Sequence, residues 1–192
     1  IVRSYQGLSP EERPGAAAAI GNFDGVHRGH QSVIEAAGKA AAGAGVPLGV
    51  VTFEPQPLEY FAPEQAPARL TRMREKLLAF KNSRIDRVVL LEFGHKLAAM
   101  SAQAFVQELL VEGLDVRYLL VGDDFRFGHG REGDIELLRR TGAVRVGLLR
   151  HPGCLLQHHP DLPGRAASTV LSLQVQVQVR RLPERLRGFD RA

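Results

Sequence analysis

Ten residues, Gly21-Asn22-Phe23-Asp24-Gly25-Val26-His27-Arg28-Gly29-His30, restrict what this chain can fold into more than any other stretch. They follow a small apolar run, Ala16–Ile20, and precede an apolar pattern of helical period from Gln31 to Ala42. Strand, glycine-rich turn and helix in that order leave the first amides of the helix without intrahelical partners and aim them at one point. The helix dipole adds partial positive charge there, so the turn suits an anion such as a phosphate. Gly29 lets that anion approach the backbone, and His27 and His30 stand at the mouth of the helix as hydrogen-bond donors. H-x-G-H alone also fits surface histidines near a turn; the whole string reads as a nucleotide site.

The remaining pattern alternates strands and helices. Ala16–Ile20 is a short apolar strand; Gln31–Ala42 is the crossover helix, closed by Gly43 and Gly45; Leu48–Phe53 is the second strand. Such a unit implies a right-handed crossover and a parallel sheet. Arg72–Asn82 reads as a helix, Arg87–Glu92 as a strand, and Ser101 as the N-cap of a helix reaching Val111 and ended by Gly113. Arg117–Val121, helix Ile135–Arg140 and strand Val144–Leu149 complete the series. The fold class is α/β, an open doubly wound sheet, and such sheets bind ligands beyond the carboxyl ends of their strands where the strand order reverses. Glu54 to Arg69 holds four prolines (Pro55, Pro57, Pro63 and Pro67) and is expected to form no regular element. A loop so long is a rigid connector or a functional one. Phe53, Pro55, Pro57, Tyr60 and Phe61 offer flat apolar faces suited to stacking a ring system.

The ten-residue string resembles the G-x-F-D-x-x-H-x-G-H signature of nucleotidyltransferases, the superfamily that includes class I aminoacyl-tRNA synthetases. With Asn22 and Gly25 to Gln31 it is similar to the FMN adenylyltransferase module of the bacterial FAD synthetases, bifunctional riboflavin kinases and FMN adenylyltransferases. Gly122-Asp123-Asp124-Phe125-Arg126-Phe127-Gly128-His129-Gly130-Arg131-Glu132-Gly133 resembles the G-x-D-F-x-F-G-x-x-R-x-G loop of that family. Thr52-Phe53-Glu54-Pro55-Gln56-Pro57 resembles its T-F-x-P-x-P stretch, and Arg69-Leu70-Thr71 before Glu75-Lys76 also recurs. The match runs from Ile20 to Leu138 and implies a Rossmann-like sheet of the nucleotidyltransferase type. The reaction it implies is ATP + FMN → FAD + pyrophosphate, with Mg²⁺ accompanying ATP. His27 and His30 would be catalytic, and Gly21, Asn22, Phe23, Asp24 and Gly29 would bind ATP. Phe53, Pro55, Pro57, Phe61, Asp124 and Phe127 would hold FMN, and Arg126 and Arg131 would meet phosphate oxygens.

After Leu138 the resemblance breaks. Family members carry an S-S-T-x-x-R signature that binds the triphosphate; the nearest stretch here is Ala167-Ser168-Thr169-Val170-Leu171-Ser172. Ser168 and Thr169 are retained as ATP-binding candidates, while the arginine position is Ser172. No counterpart of the riboflavin kinase module is expected in these residues. From Arg139 onward stand ten arginines, no lysine and three acids, a balance of +7, whereas residues 1 to 138 balance at −3. The basic character belongs to the tail, so no nucleic-acid partner is expected, and no obligate protein partner is inferred. Two units follow: an adenylyltransferase-like domain over residues 1–150, and a divergent arginine-rich tail over 151–192 whose composition is compatible with disorder or with a reading-frame shift in a GC-rich gene. His151, Cys154, His158 and His159 fit no standard ligand spacing, so no metal site is expected. One cysteine and no long apolar run point to the cytoplasm and away from a membrane. Two other readings stand beside FMN adenylyl transfer. One is a nucleotidyltransferase with another phosphate acceptor, the other a flavin- or nucleotide-binding remnant without turnover, and even the adenylyltransferase reading allows for impaired turnover.

Overall fold

Strand β1, Ala16–Ile20, is four alanines and an isoleucine, buried on both faces. A strand in that situation must sit inside a sheet with helices on each side. It does: β1 pairs in parallel with β2 (Leu48–Glu54) on one side and with β4 (Val116–Gly122) on the other. The computed structural model describes residues 15–149 and 177–180. In it β3 (Arg87–Glu92) lies outside β2, and β5 (Arg145–Leu149) outside β4, both parallel. With β6 at Val177–Arg180, the strand order is β5-β4-β1-β2-β3-β6. The chain thus moves outward from β1 to β3, returns to β4 beside β1, and moves outward again to β5. Strand order reverses between β1 and β4, and the two glycine-rich motifs follow their carboxyl ends.

Two apolar layers cover the sheet. Ala17 and Ala19 face helix α1 (Arg28–Ala44) and α3 (Met73–Lys81), sharing a core with Ile34, Ala37, Ala41, Val50 and Phe80. Ala18 and Ile20 face the opposite side, with Phe105, Val106, Leu109 and Leu138. Those residues come from α5, which starts at Ala102–Ala104 and continues as a π-helical run Phe105–Gly113, and from α6 (Ile135–Thr141). Ser101 caps α5 as expected, its Oγ accepting from the Ala104 N–H at 3.1 Å. Between β3 and α5 lies the single turn α4, His95–Ala98. Helix α1 ends at Gly45 alone, whose N–H returns to the Ala41 and Ala42 carbonyls; Gly43, expected to share the closure, lies within the helix.

Two expectations need correction. The proline-rich segment contains helical structure, α2 at Pro57–Phe61 and a 3₁₀ turn at Pro63–Gln65. Each begins on a proline, where the missing N–H is needed by no carbonyl and the fixed φ suits a helix start. The series of strands, expected to end with Val144–Leu149, has one more member, β6 at Val177–Arg180. It pairs antiparallel with β3, so the sheet is mixed at that edge.

The loop after β4 is fastened to the start of α5. The His129 N–H donates to the Met100 carbonyl at 2.7 Å, and the Ala102 N–H to Glu132 Oε1 at 2.9 Å. Gly128 sits between them at φ 77, ψ 169, a region open essentially to glycine, and a Cβ there would lie 2.7 Å from the Ala102 backbone. Gly128→Ala is therefore expected to lower stability by about 1–3 kcal/mol, read as a lower urea midpoint. An unchanged midpoint would mean that the loop docks loosely.

Candidate functional site

The turn after β1 carries unusual backbone angles: Phe23 (φ 49), Gly25 (φ 72) and Val26 (φ 39) are all left-handed. For phenylalanine and valine that conformation is uphill and persists only where surroundings over-determine it. The surroundings come from far along the chain. Asp24 accepts from the Leu70 and Thr71 N–H groups, both at 2.9 Å, and from Thr71 Oγ1 at 3.0 Å. Thr71 Oγ1 in turn accepts from the Gly25 N–H at 2.9 Å. The Asn22 carbonyl accepts from Lys76 Nζ at 2.6 Å and Thr52 Oγ1 at 3.2 Å. Burial alone would raise the Asp24 carboxyl; the hydrogen bonds from Leu70 and Thr71, aided by Lys76, outweigh it and hold it below the usual value.

The histidines occupy the start of α1. His27 is the N-cap, its Nδ1 accepting from the His30 N–H at 3.4 Å, and neutral His27 therefore carries its proton on Nε2. The two rings stack with centroids 3.7 Å apart, and Phe23 meets His30 edge-on at 5.2 Å. Burial first, then His27 and Lys76, push His30 down to about 4 against the opposing pull of Asp24. His30 is thus neutral at pH 7, with Nδ1 enclosed and without a hydrogen-bond partner among the described residues. The first amides of α1, Arg28 and Gly29, precede the bond from the Gln31 N–H to the His27 carbonyl and remain available. The result is a group of backbone and imidazole donors at the start of α1, with Lys76 bonded behind the turn to the Asn22 carbonyl.

A second group of residues stands at the carboxyl ends of β2 and β3. Phe53 packs against Phe93 at 5.8 Å, and Phe93 against Tyr60 and Phe61 at 5.7 and 5.6 Å. Phe61 is 51% exposed, so the cluster presents a ring face outward. Pro55 and Pro57 lie in the same segment, Pro57 as the first residue of α2. Arg69 binds both Glu54, at 2.7 and 3.0 Å, and Glu59, which closes the segment upon itself and raises the guanidinium's proton affinity further. Sequence reasoning missed Phe93. The signal was present, since Phe93 follows β3 as Phe53 ends β2, but strand order was needed to place them side by side.

The loop after β4 separates its predicted residues. Phe127 is buried against Phe105 and Phe125 and pairs with Gly133 through two backbone hydrogen bonds, so its ring packs in the core. Asp124 is exposed at the crevice end of β4. Arg126 lies 3.5 Å from Asp134, and Arg131 is exposed. Gly21, Asn22, Phe23, Asp24 and Gly29 are gathered with His27 and His30, although Phe23 is buried and both Asp24 oxygens are engaged. Ser168 and Thr169 lie outside the described residues. Among the described residues no three His, Cys, Asp or Glu side chains form a metal-ligand group, and no helix is long and apolar enough to cross a membrane.

The depressed His30 gives a pH signature. Folded His30 resists protonation down to about 4 while unfolded histidine takes its proton near 6.5. Its contribution to stability is present above pH 6.5 and lost as pH falls toward 4. The stability gap between wild type and His30→Gln, from urea unfolding, should therefore narrow across that window. A gap independent of pH would show His30 titrating as an ordinary histidine.

The FAD synthetase family matches residues 9–151. The bifunctional riboflavin kinase/FMN adenylyltransferase of Escherichia coli (strain K12) is 47% identical over 142 residues, 74% of this chain and 45% of that protein. The Pseudomonas fluorescens protein of the same description is 49% identical over the same coverage, and that of Haemophilus influenzae 42% identical over 70% of this chain and 44% of its own length. The chain thus spans a little under half the length of these relatives. A macrolide-efflux protein from Streptococcus pneumoniae is similar in fold, with a TM-score of 0.64 at 22% identity, covering 77% of this chain and 49% of that one. The match to residues 9–151, which include the glycine–histidine turn, shows that the chain belongs to the FAD synthetase family.

Proposed function

We propose that this chain transfers the adenylyl group of ATP to FMN, forming FAD and pyrophosphate. The observation that carries the reading is one juxtaposition. The free amides and paired histidines of the α1 N-terminus stand at the strand-order reversal, and an aromatic cluster ends the neighbouring strands β2 and β3. The first suits phosphates, the second a flavin ring. The similarity to bifunctional riboflavin kinase/FMN adenylyltransferases supports the same reading.

In the reaction an FMN phosphate oxygen attacks the α-phosphorus of ATP, and the bond from that phosphorus to the pyrophosphate oxygen breaks. The nucleophile is already an anion near neutral pH, so this chain need not remove a proton. Its work is to position both substrates and to stabilise the charge gathering on the transferring group. His27 Nε2–H, neutral His30 and the Arg28 and Gly29 amides are the donors for that charge, and the α1 dipole adds to them. Mg²⁺ bound with ATP would neutralise phosphate charge, and the exposed carboxylates of Asp123 and Asp124 would suit a cation that keeps several waters. Residues 1–150 carry the donor turn and the aromatic cluster in this reading, with the cytoplasm as their place. Beyond them the described segment, β6, joins the same sheet at β3.

The altered Ala167–Ser172 stretch favours one rival, a flavin- and nucleotide-binding protein without turnover. Incubation with FMN, ATP and Mg²⁺ separates them by whether FAD appears. His30→Ala should then reduce turnover about 10²–10³-fold, the usual loss of one charge-stabilising donor, with FMN affinity unchanged. Phe61→Ala should weaken FMN by about 1 kcal/mol and leave ATP alone. Undiminished turnover in His30→Ala would remove His30 from the phosphate site.

A further inference from the structure

Thr52 and Lys76 are the two buried polar side chains among the described residues, at 0% and 1% exposure. They come from different elements, β2 and α3, yet both donate to one acceptor, the Asn22 carbonyl. A buried ammonium is costly, and burial accordingly pushes Lys76 down, with Asp24 and Glu54 opposing. An apolar side chain beside Leu77 and Phe80 would cover the same core without that cost. The convergence therefore calls for a role beyond packing.

Peptide geometry supplies one. In a planar trans peptide the carbonyl and the following N–H point in opposite directions. Drawing the Asn22 carbonyl towards Lys76 and Thr52 turns the Phe23 N–H the other way, and that N–H has no hydrogen-bond partner among the described residues. Phe23 lies at φ 49, so the peptide is held against its local preference. Released, it is free to rotate and carry the donor away from the Arg28 and Gly29 amides.

We propose that Lys76, assisted by Thr52, is a positioning residue for the nucleotide: it fixes the Asn22–Phe23 peptide so that the Phe23 N–H joins the α1 amides as a phosphate donor. This rests on the reading of the turn as the ATP site. Lys76 itself touches no substrate.

The test titrates the full chain with Mg·ATP and, separately, with FMN, in wild type, Lys76→Met and Thr52→Val, beside FAD formation and urea unfolding. Lys76→Met is expected to lose ATP affinity about 10- to 100-fold, as for one charged hydrogen bond, with FMN affinity unchanged. Thr52→Val, nearly isosteric, should show the same selectivity to a smaller extent. Should Lys76→Met fail to fold, the ATP-against-FMN split in Thr52→Val decides alone. Wild-type ATP affinity in the folded variants overturns the proposal, as do equal losses for both ligands in step with lost stability. If wild type binds ATP but makes no FAD, the adenylyl-transfer reading fails while the ATP affinities still judge Lys76. A wild type that binds no ATP overturns both.

Discussion

The reversal of strand order between β1 and β4 is the constraint on which the rest of this structure depends. A chain that leaves β1 towards β2 and later returns to β4 sends its two connections to opposite sides. The carboxyl ends of β1 and β4 are then left with loops that diverge rather than meet. Backbone donors at that point cannot be satisfied by a neighbouring strand. Here the gap is lined by the first amides of α1 and by the Gly122–Gly133 loop. Both fold around it by local devices: left-handed residues in the turn, and a glycine wedge at Gly128 against α5.

Magnitudes separate the interactions that shape the site from those that decorate the surface. The Lys39–Glu35 pair, 3.0 Å apart on α1 with both side chains largely exposed, contributes a few tenths of a kcal/mol. Arg69 is different: one guanidinium serves two partly buried carboxylates, Glu54 and Glu59, and joins the end of β2 to α2 and to the residues before α3. Asp24 performs the matching task for the phosphate-facing turn, since its acceptors hold Leu70 and Thr71. The segment Arg69–Lys76 therefore holds the aromatic end of the crevice with its first residue and the donor end with its last.

Strands and most helices were legible because period and composition are local. Ala16–Ile20 and Arg87–Glu92 lie where their sequences place them, and Ser101 caps α5. Proline count misled over Glu54–Arg69, because proline opposes a helix interior but favours its first position, and Pro57 and Pro63 both take that position. His27 and His30 were legible as a pair, whereas the division between them was not: stacking and burial, not spacing, leave one exposed and the other neutral well below pH 7. Phe127 read as a ligand face and is a core residue, since its pairing with Gly133 turns the ring inward. Thr71 and Lys76 belong to a recurring stretch, yet their roles were not legible, because their partners are 46 to 47 and 54 residues away. A lysine in an amphipathic helix reads as solvent-facing until the fold supplies the carbonyl it meets.

That long-range wiring bears on how a site without a covalent nucleophile can work. In the proposed reaction the rate depends on holding two anionic substrates in line, and displacement of either by about an ångström is costly. Separate loops for each substrate would drift independently. Here both half-sites are tied to one short segment, through Arg69 to Glu54 and Glu59 and through Thr71 and Lys76 to the turn. The ties are long in sequence and short in space, and α3 is anchored by Phe80 in the core. Keeping His30 neutral serves the same end. A permanent cation would bind ATP tightly before any reaction, whereas neutral donors and an oriented dipole gain most as charge develops during transfer.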